Sequence, residues 1–259
     1  MTQLSGRVAL VTGGGRGIGR ATAVALAAAG AGVVVTARST DELEETVSAI
    51  NAAGGEAAAL ACDLSDRAQS AELLERSSAI LGPIDILVNN AGIGGSADPR
   101  PLAEFRDAFW DLTLEINLTA PYLLSKAALP HMRAQRWGRI ITVASINSRV
   151  PSPHGGAYTA SKHGVLGLMR TLALEHAAEG ITVNCVCPGP VHTRMNDRRV
   201  EYDAQRFGRE VGEYEQGLTP IGGRLDPKDV APMVVYLAGD DARMITGQAY
   251  DIDGGVCMA

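Results

Sequence analysis

The sequence predicts an α/β fold, a doubly wound parallel sheet in a single domain spanning residues 1–259. Three observations carry that prediction. Seven short apolar runs alternate with longer segments of helical pattern. The runs are continuous rather than alternating, as in strands covered on both faces. A glycine-rich turn, Thr12-Gly13-Gly14-Gly15-Arg16-Gly17-Ile18-Gly19, follows the first run and leads into a helical segment, the order found at nucleotide-binding turns of such sheets.

The strands are expected at Val8–Thr12, Gly32–Ala37, 57–62, 84–88, 139–143, 181–187 and 248–252. The segments between them are rich in Ala, Leu and Glu and amphipathic in pattern, which places helices on both faces through right-handed crossovers. Two segments, 110–135 and 157–178, are long and amphipathic in pattern. Pro121 and Pro130 predict a bend in the first. Residues 188–223 break the βα rhythm with a charged stretch that includes Arg194, Arg198, Arg199, Arg206 and Arg209. Because it follows a strand end, where ligands bind in these sheets, it reads as a lid over a substrate site.

Composition narrows the function classes. Hydrophobic residues make up 46% of the chain and the net charge is −6. With no basic block, nucleic acid is not an expected partner. No charged leader with an apolar core precedes the first strand, and no run of about 18 apolar residues occurs, so neither secretion nor a membrane is expected. The expected location is the cytoplasm. Cys185 and Cys187 alternate in a strand-like run with no histidine at zinc spacing, so no metal site is expected.

The chemistry is carried by Tyr158-Thr159-Ala160-Ser161-Lys162. A tyrosine and a lysine four apart share one helix face. An ammonium so placed favours the phenolate, so the tyrosine is expected to have a lowered pKa and to act as an acid/base near neutral pH. Ser145 follows an apolar run at a strand's carboxyl end, where it can donate to a developing oxyanion. The glycine turn supplies close backbone approach and a helix N-terminus for a pyrophosphate. The second strand ends Val35-Thr36-Ala37-Arg38, without the acid that binds the ribose hydroxyls of NAD. Arg16 and Arg38 are placed for an added ribose phosphate. NADP(H) is therefore the preferred cofactor, with NAD(H) possible. Asp41 and Glu42 read as first-turn helix acids.

These residues together resemble the short-chain dehydrogenase/reductases over essentially the whole chain. The matching pieces are Thr12 to Gly19, Asp63-Leu64, Asn89-Asn90-Ala91-Gly92, Asn117, Ser145, Tyr158 to Lys162, Pro188-Gly189 and Thr193. The resemblance implies a Rossmann-type sheet of about seven strands and a homotetramer or homodimer. It implies that Tyr158 is the acid/base and that Ser145 binds the substrate oxygen. Lys162 then binds the nicotinamide ribose, and Asn117 holds a relay water. Asp63, Leu64, Asn89, Ala91 and Gly92 line the cofactor; Pro188, Gly189, Val191 and Thr193 meet its nicotinamide end.

By proximity to the motif, Asn147, His154, Pro190 and Met195 join Ser145 and Tyr158 around the substrate. His154, four residues before Tyr158, either orients a second substrate oxygen or caps the helix start. The pattern is nearest to 3-oxoacyl and polyketide ketoreductases and to hydroxybutyrate-type dehydrogenases. It departs from the fatty-acid reductases at Pro130 and Leu174, where those enzymes carry arginines that dock an acidic carrier. The expected function is hydride transfer between NADP(H) and a ketone or secondary alcohol, most simply carbonyl reduction. Two alternatives stand: an NAD-dependent dehydrogenase of a polyol, sugar or hydroxy acid, and a dinucleotide-binding sensor without turnover. The apolar C-terminal tail, 254–259, is expected to pack on a neighbouring subunit.

Overall fold

A computed structural model describes residues 3–258. Strands β1 (Val8–Thr12), β2 (Gly32–Ala37), β3 (Glu56–Ala61), β4 (Ile86–Asn89), β5 (Gly138–Val143), β6 (Ile181–Pro188) and β7 (Ala249–Ile252) form one sheet. Its order is β3-β2-β1-β4-β5-β6-β7, and every pairing is parallel. The chain runs outward from β1 in one direction, then crosses over to β4 and runs the other way. The strand order therefore reverses between β1 and β4, and a crevice opens there at the carboxyl ends.

Strand periodicity divides the core in two. Leu10, Val34, Leu87, Ile140 and Val183 point to one face. Helices α3 (Arg67–Leu81), α5 (Ala120–Gln135) and α6 (Gly156–His176) cover it with Leu73, Leu124, Met132, Val165 and Met169. Val11, Val33, Val35, Val88, Ile141 and Val186 point to the other face. There α1 (Gly17–Ala28), α2 (Thr40–Ala52) and α9 (Pro227–Ala238) bring Leu26, Ile50, Val230, Val234 and Leu237. Both faces of the central strands are covered, which is why those strands read as apolar runs. Cys185 and Cys187 are buried in the first of these cores as ordinary packing groups.

The long segment expected at 110–135 is not one bent helix. It is α4 (Asp107–Leu114), a π turn over Glu115–Thr119, and α5. Pro121, in the first turn of α5, has no N–H to donate to the carbonyl of Asn117. The ladder widens by one residue just before it. The second long segment is α6 followed by a single turn, Ala177–Glu179. Residues 188–223 contain α7 (Arg194–Arg206) and α8 (Val211–Gln216). None of the helices among the described residues is long and apolar enough to cross a membrane.

Candidate active site

The first wall of the crevice is the turn after β1. Gly13 and Gly17 have φ of +66° and +53°, a region that L side chains rarely adopt. A Cβ on Gly19 would stand 2.1 Å from the carbonyl oxygen of Gly13, so only glycine lets α1 start this close to the strand. Thr12 Oγ1 accepts from the backbone N–H groups of Asn90 and Ala91, each at 3.0 Å. Asn90 Nδ2 donates to the carbonyls of Thr12 at 2.8 Å and Gly13 at 3.2 Å. These bonds tie the ends of β1 and β4 together and fix the floor of the crevice.

The second wall carries Ser145, Tyr158 and Lys162. Ser145 lies just past β5, and its Oγ accepts from the N–H of Asn147 at 3.1 Å. That leaves the hydroxyl proton free to donate elsewhere. Tyr158 and Lys162 sit one turn apart on α6. Tyr158 hydrogen-bonds Ser145, which pulls its pKa down, but burial pushes it up more strongly and the net shift is upward. This corrects the expectation of a lowered tyrosine pKa. The largest cause is burial of the phenol itself. Lys162 Nζ donates to the carbonyl of Val143 at 2.8 Å and stands 5.7 Å from the centre of the Tyr158 ring. Burial also pulls the lysine itself down to about 8.

Asn117 lies in the π turn and is buried. Its Oδ1 accepts from Ile93 N at 2.9 Å, and its Nδ2 donates to Ile93 O at 3.0 Å and Ser161 Oγ at 3.1 Å. Its side chain is therefore fully used in joining the loop after β4 to α6. Pro121 has no N–H to donate to the main-chain carbonyl of Asn117. A Cβ on Gly92 would stand 3.1 Å from Asn117 Oδ1 and 3.8 Å from Lys162 Nζ, so a glycine there lets these groups converge.

Between the walls runs an open cleft of about 1370 Å³. The expected cofactor and substrate residues line it, except Thr12, Asn89, Asn117 and His154. Thr12 and Asn117 stand behind the wall and shape it as described. Asn89 is buried and donates to Ser125 Oγ at 3.3 Å; its neighbour Asn90 faces the cleft instead. His154 has a φ of +61° and pairs through Nδ1 with Tyr202 Oη of α7 at 2.5 Å.

Several cleft residues were not singled out from the sequence. Val256 curls back onto the wall because the buried carboxylate of Asp253 accepts from the N–H groups of Gly255 and Cys257. Phe207, Tyr214 and Leu218 extend the apolar wall from the α7–α8 segment. Glu42 takes Arg16 into an ion pair at 3.0 Å, so it is more than a first-turn helix acid. Arg38 is exposed and makes no ion pair among the described residues.

Segment 188–223 touches both sides of the cleft. A Cβ on Gly17 would stand 3.1 Å from Thr193 Cγ2. Ser96 Oγ donates to Met195 O at 3.1 Å, and Arg199 Nη2 donates to Pro153 O at 3.1 Å. Within α7, Asp203 is buried and paired with Arg199 and Arg206. Among the described residues no cluster of metal-ligating side chains occurs.

Comparison with known proteins fits this geometry. The family model described as short chain dehydrogenase matches residues 7–204. The chain is 40% identical to the 3-oxoacyl-[acyl-carrier-protein] reductase of Haemophilus influenzae, over 99% of this chain and all of that one. It is 36% identical to the D-beta-hydroxybutyrate dehydrogenase of Cupriavidus necator, over 97% of this chain and 98% of the relative. Among solved structures, it is similar to a 3-oxoacyl (acyl-carrier-protein) reductase from Agrobacterium tumefaciens C58 with NADP bound. That match has a TM-score of 0.89 at 33% identity, and covers 98% of this chain and 95% of that one.

Proposed function

The chain belongs to the short chain dehydrogenase family, and on that premise we propose that it is an NADP(H)-dependent carbonyl reductase. Its substrate is a ketone or a 3-oxoacyl or polyketide-type thioester. The single observation that carries this reading is the convergence of Ser145, Tyr158 and Lys162 on one end of a cleft whose other end is the glycine turn. The residues fit a dinucleotide on structural grounds. Gly13, Gly17 and Gly19 leave a hollow that a Cβ would fill. The N-terminus of α1 has no side-chain cap, which leaves its N–H groups for a pyrophosphate. Arg16 and Arg38 flank the adenosine end, Asp63 and Leu64 lie beside it, and Gly92, Pro188, Gly189 and Val191 line the way to Lys162.

A bound nicotinamide supplies the hydride; the chain handles the proton and the developing charge. Ser145 Oγ, already accepting from Asn147 N, donates a hydrogen bond to the substrate carbonyl oxygen and keeps its proton. Tyr158 donates to the same oxygen and passes its proton to it as the alcohol forms. Burial that raises the tyrosine pKa keeps the phenol protonated before reaction, the state reduction requires. Lys162 bonds the strand end at Val143 and sets the electrostatics beneath the phenol. The carbonyl of Asn117 offers a place for a water that returns a proton toward Lys162.

The segment 188–223 is read as the lid. It meets the glycine turn, the loop at Ser96 and the loop at Pro153, so it spans the cleft from cofactor side to substrate side. Leu112, Tyr122 and Leu174 leave apolar surface on α4, α5 and α6, which supports a homodimer or homotetramer built on these helices. A monomer by sedimentation would remove that part of the reading.

The experiment is a panel of ketones and 3-oxoacyl thioesters with NADPH, set against hydroxy acids and polyols with NAD and NADP. Reduction of a ketone or thioester as the best reaction supports the reading. Preferred oxidation of a hydroxy acid would replace it with the dehydrogenase alternative. Binding of dinucleotide without turnover of any member would favour the sensor.

A further inference from the structure

One carboxylate at the adenosine corner of the cleft holds two arginines from opposite walls. Glu42 Oε1 accepts from Arg16 Nη1 at 3.0 Å and from Arg194 Nη1 at 3.1 Å. Arg16 stands at the glycine turn, and Arg194 is the first residue of α7. Glu42 is fixed from behind. Its Cβ lies 3.0 Å from where a Cβ on Gly15 would stand, and its carbonyl accepts from Arg20 Nη2 at 3.2 Å. Its side chain is 24% exposed, while those of Arg16 and Arg194 are 53% and 68% exposed. The carboxylate is thus the anchored member of the three.

We propose that Glu42 is a specificity-determining residue that weakens binding of nucleotides carrying a phosphate on the adenosine ribose. The proposal rests on the dinucleotide reading of the cleft. An added phosphate draws on the guanidinium donors at this corner, and Arg16 is the one at the glycine turn. Glu42 already occupies one of its donors, and its own negative charge stands where the phosphate must approach. A plain ribose hydroxyl carries no charge and meets no such repulsion. The corner is open to solvent, so the effect is screened and amounts to several-fold rather than many orders. Through Arg194 the same carboxylate also holds the start of α7, so a phosphate that takes Arg16 leaves Glu42 to Arg194 alone.

The test uses the full chain and calorimetric binding of adenosine 2′,5′-bisphosphate and adenosine 5′-monophosphate, which report on this corner without turnover. Glu42→Gln is expected to tighten the bisphosphate by about fivefold to tenfold and to change the monophosphate by less than about twofold. In an Arg16→Ala background the gain is expected to fall to about half or less, leaving only the part due to removing the charge itself. An unchanged or weaker affinity for the bisphosphate would overturn the proposal. So would an equal change for both nucleotides, or a gain of full size without Arg16. Glu42→Ala carries the same expected sign if the glutamine variant folds poorly. A wild-type protein with no preference for the bisphosphate counts against the NADP(H) reading alone. The variants still decide the role of Glu42, since a phosphate preference gained on removing its charge supports that role and no gain refutes it.

Discussion

Replacing Lys162 by methionine tests how burial tunes the site. In the folded protein Lys162 titrates at about 8, against 10.5 for a free lysine. The difference, 10.5 minus about 8, is about 2.5 units, or roughly 3 kcal/mol of unfavourable burial of the charged form. The sign follows from proton binding. Between pH 8 and 10.5 the unfolded chain binds more protons than the folded one, so stability rises with pH. The penalty is fully present below about pH 8 and gone above 10.5. Urea unfolding of wild type and Lys162→Met at pH 7, 8, 9 and 10 isolates the effect, since other titrating groups cancel in the difference. Wild type should gain about 2 kcal/mol relative to the variant between pH 7 and pH 10. The variant leaves the carbonyl of Val143 without its donor, a cost of about 1–3 kcal/mol that does not vary with pH and so offsets the curve without changing its slope. A difference that stays flat from pH 7 to 10 would refute a lysine depressed by burial.

Two further substitutions probe the ends of the cleft. Arg38→Ala removes an exposed guanidinium that has no ion pair among the described residues. NADPH binding should weaken by about tenfold with NADH little changed, a charge-assisted contact being worth about 1.5–3 kcal/mol; equal loss for both would remove the phosphate role. Tyr202→Phe breaks the bond between α7 and His154. A net loss of about 1 kcal/mol should raise KM for substrate several-fold while kcat stays within about twofold, measured by steady-state kinetics, whereas unchanged KM would mean that this bond does not hold the lid.

The sheet was legible because its strands are buried on both faces. Residues such as Val33-Val34-Val35 feed both cores in turn, so consecutive positions are apolar. The glycine turn and the Tyr158–Lys162 spacing were legible because both are local. The π turn at Asn117 was not, because the apolar pattern passes through it unbroken and only Pro121 hints at a change. The ion pair of Glu42 with Arg194 joins residues 152 apart, and no local pattern announces it. Val256 reaches the cleft only because Asp253 folds the tail back. The tyrosine's pKa was misjudged for a related reason. Spacing gives the distance along a helix, but not the tertiary burial that raises the phenol's pKa.

The most direct test of the account is turnover and cofactor binding by Tyr158→Phe, measured together. With the best ketone or thioester found for the wild type, NADPH oxidation by the variant should fall by at least about a thousandfold, in line with a lost proton donor that the remaining hydrogen bonds do not replace. NADPH affinity should stay within about threefold, since the phenol sits at the substrate end of the cleft. Substantial turnover by the variant would contradict the assignment of Tyr158 as the group that delivers the proton.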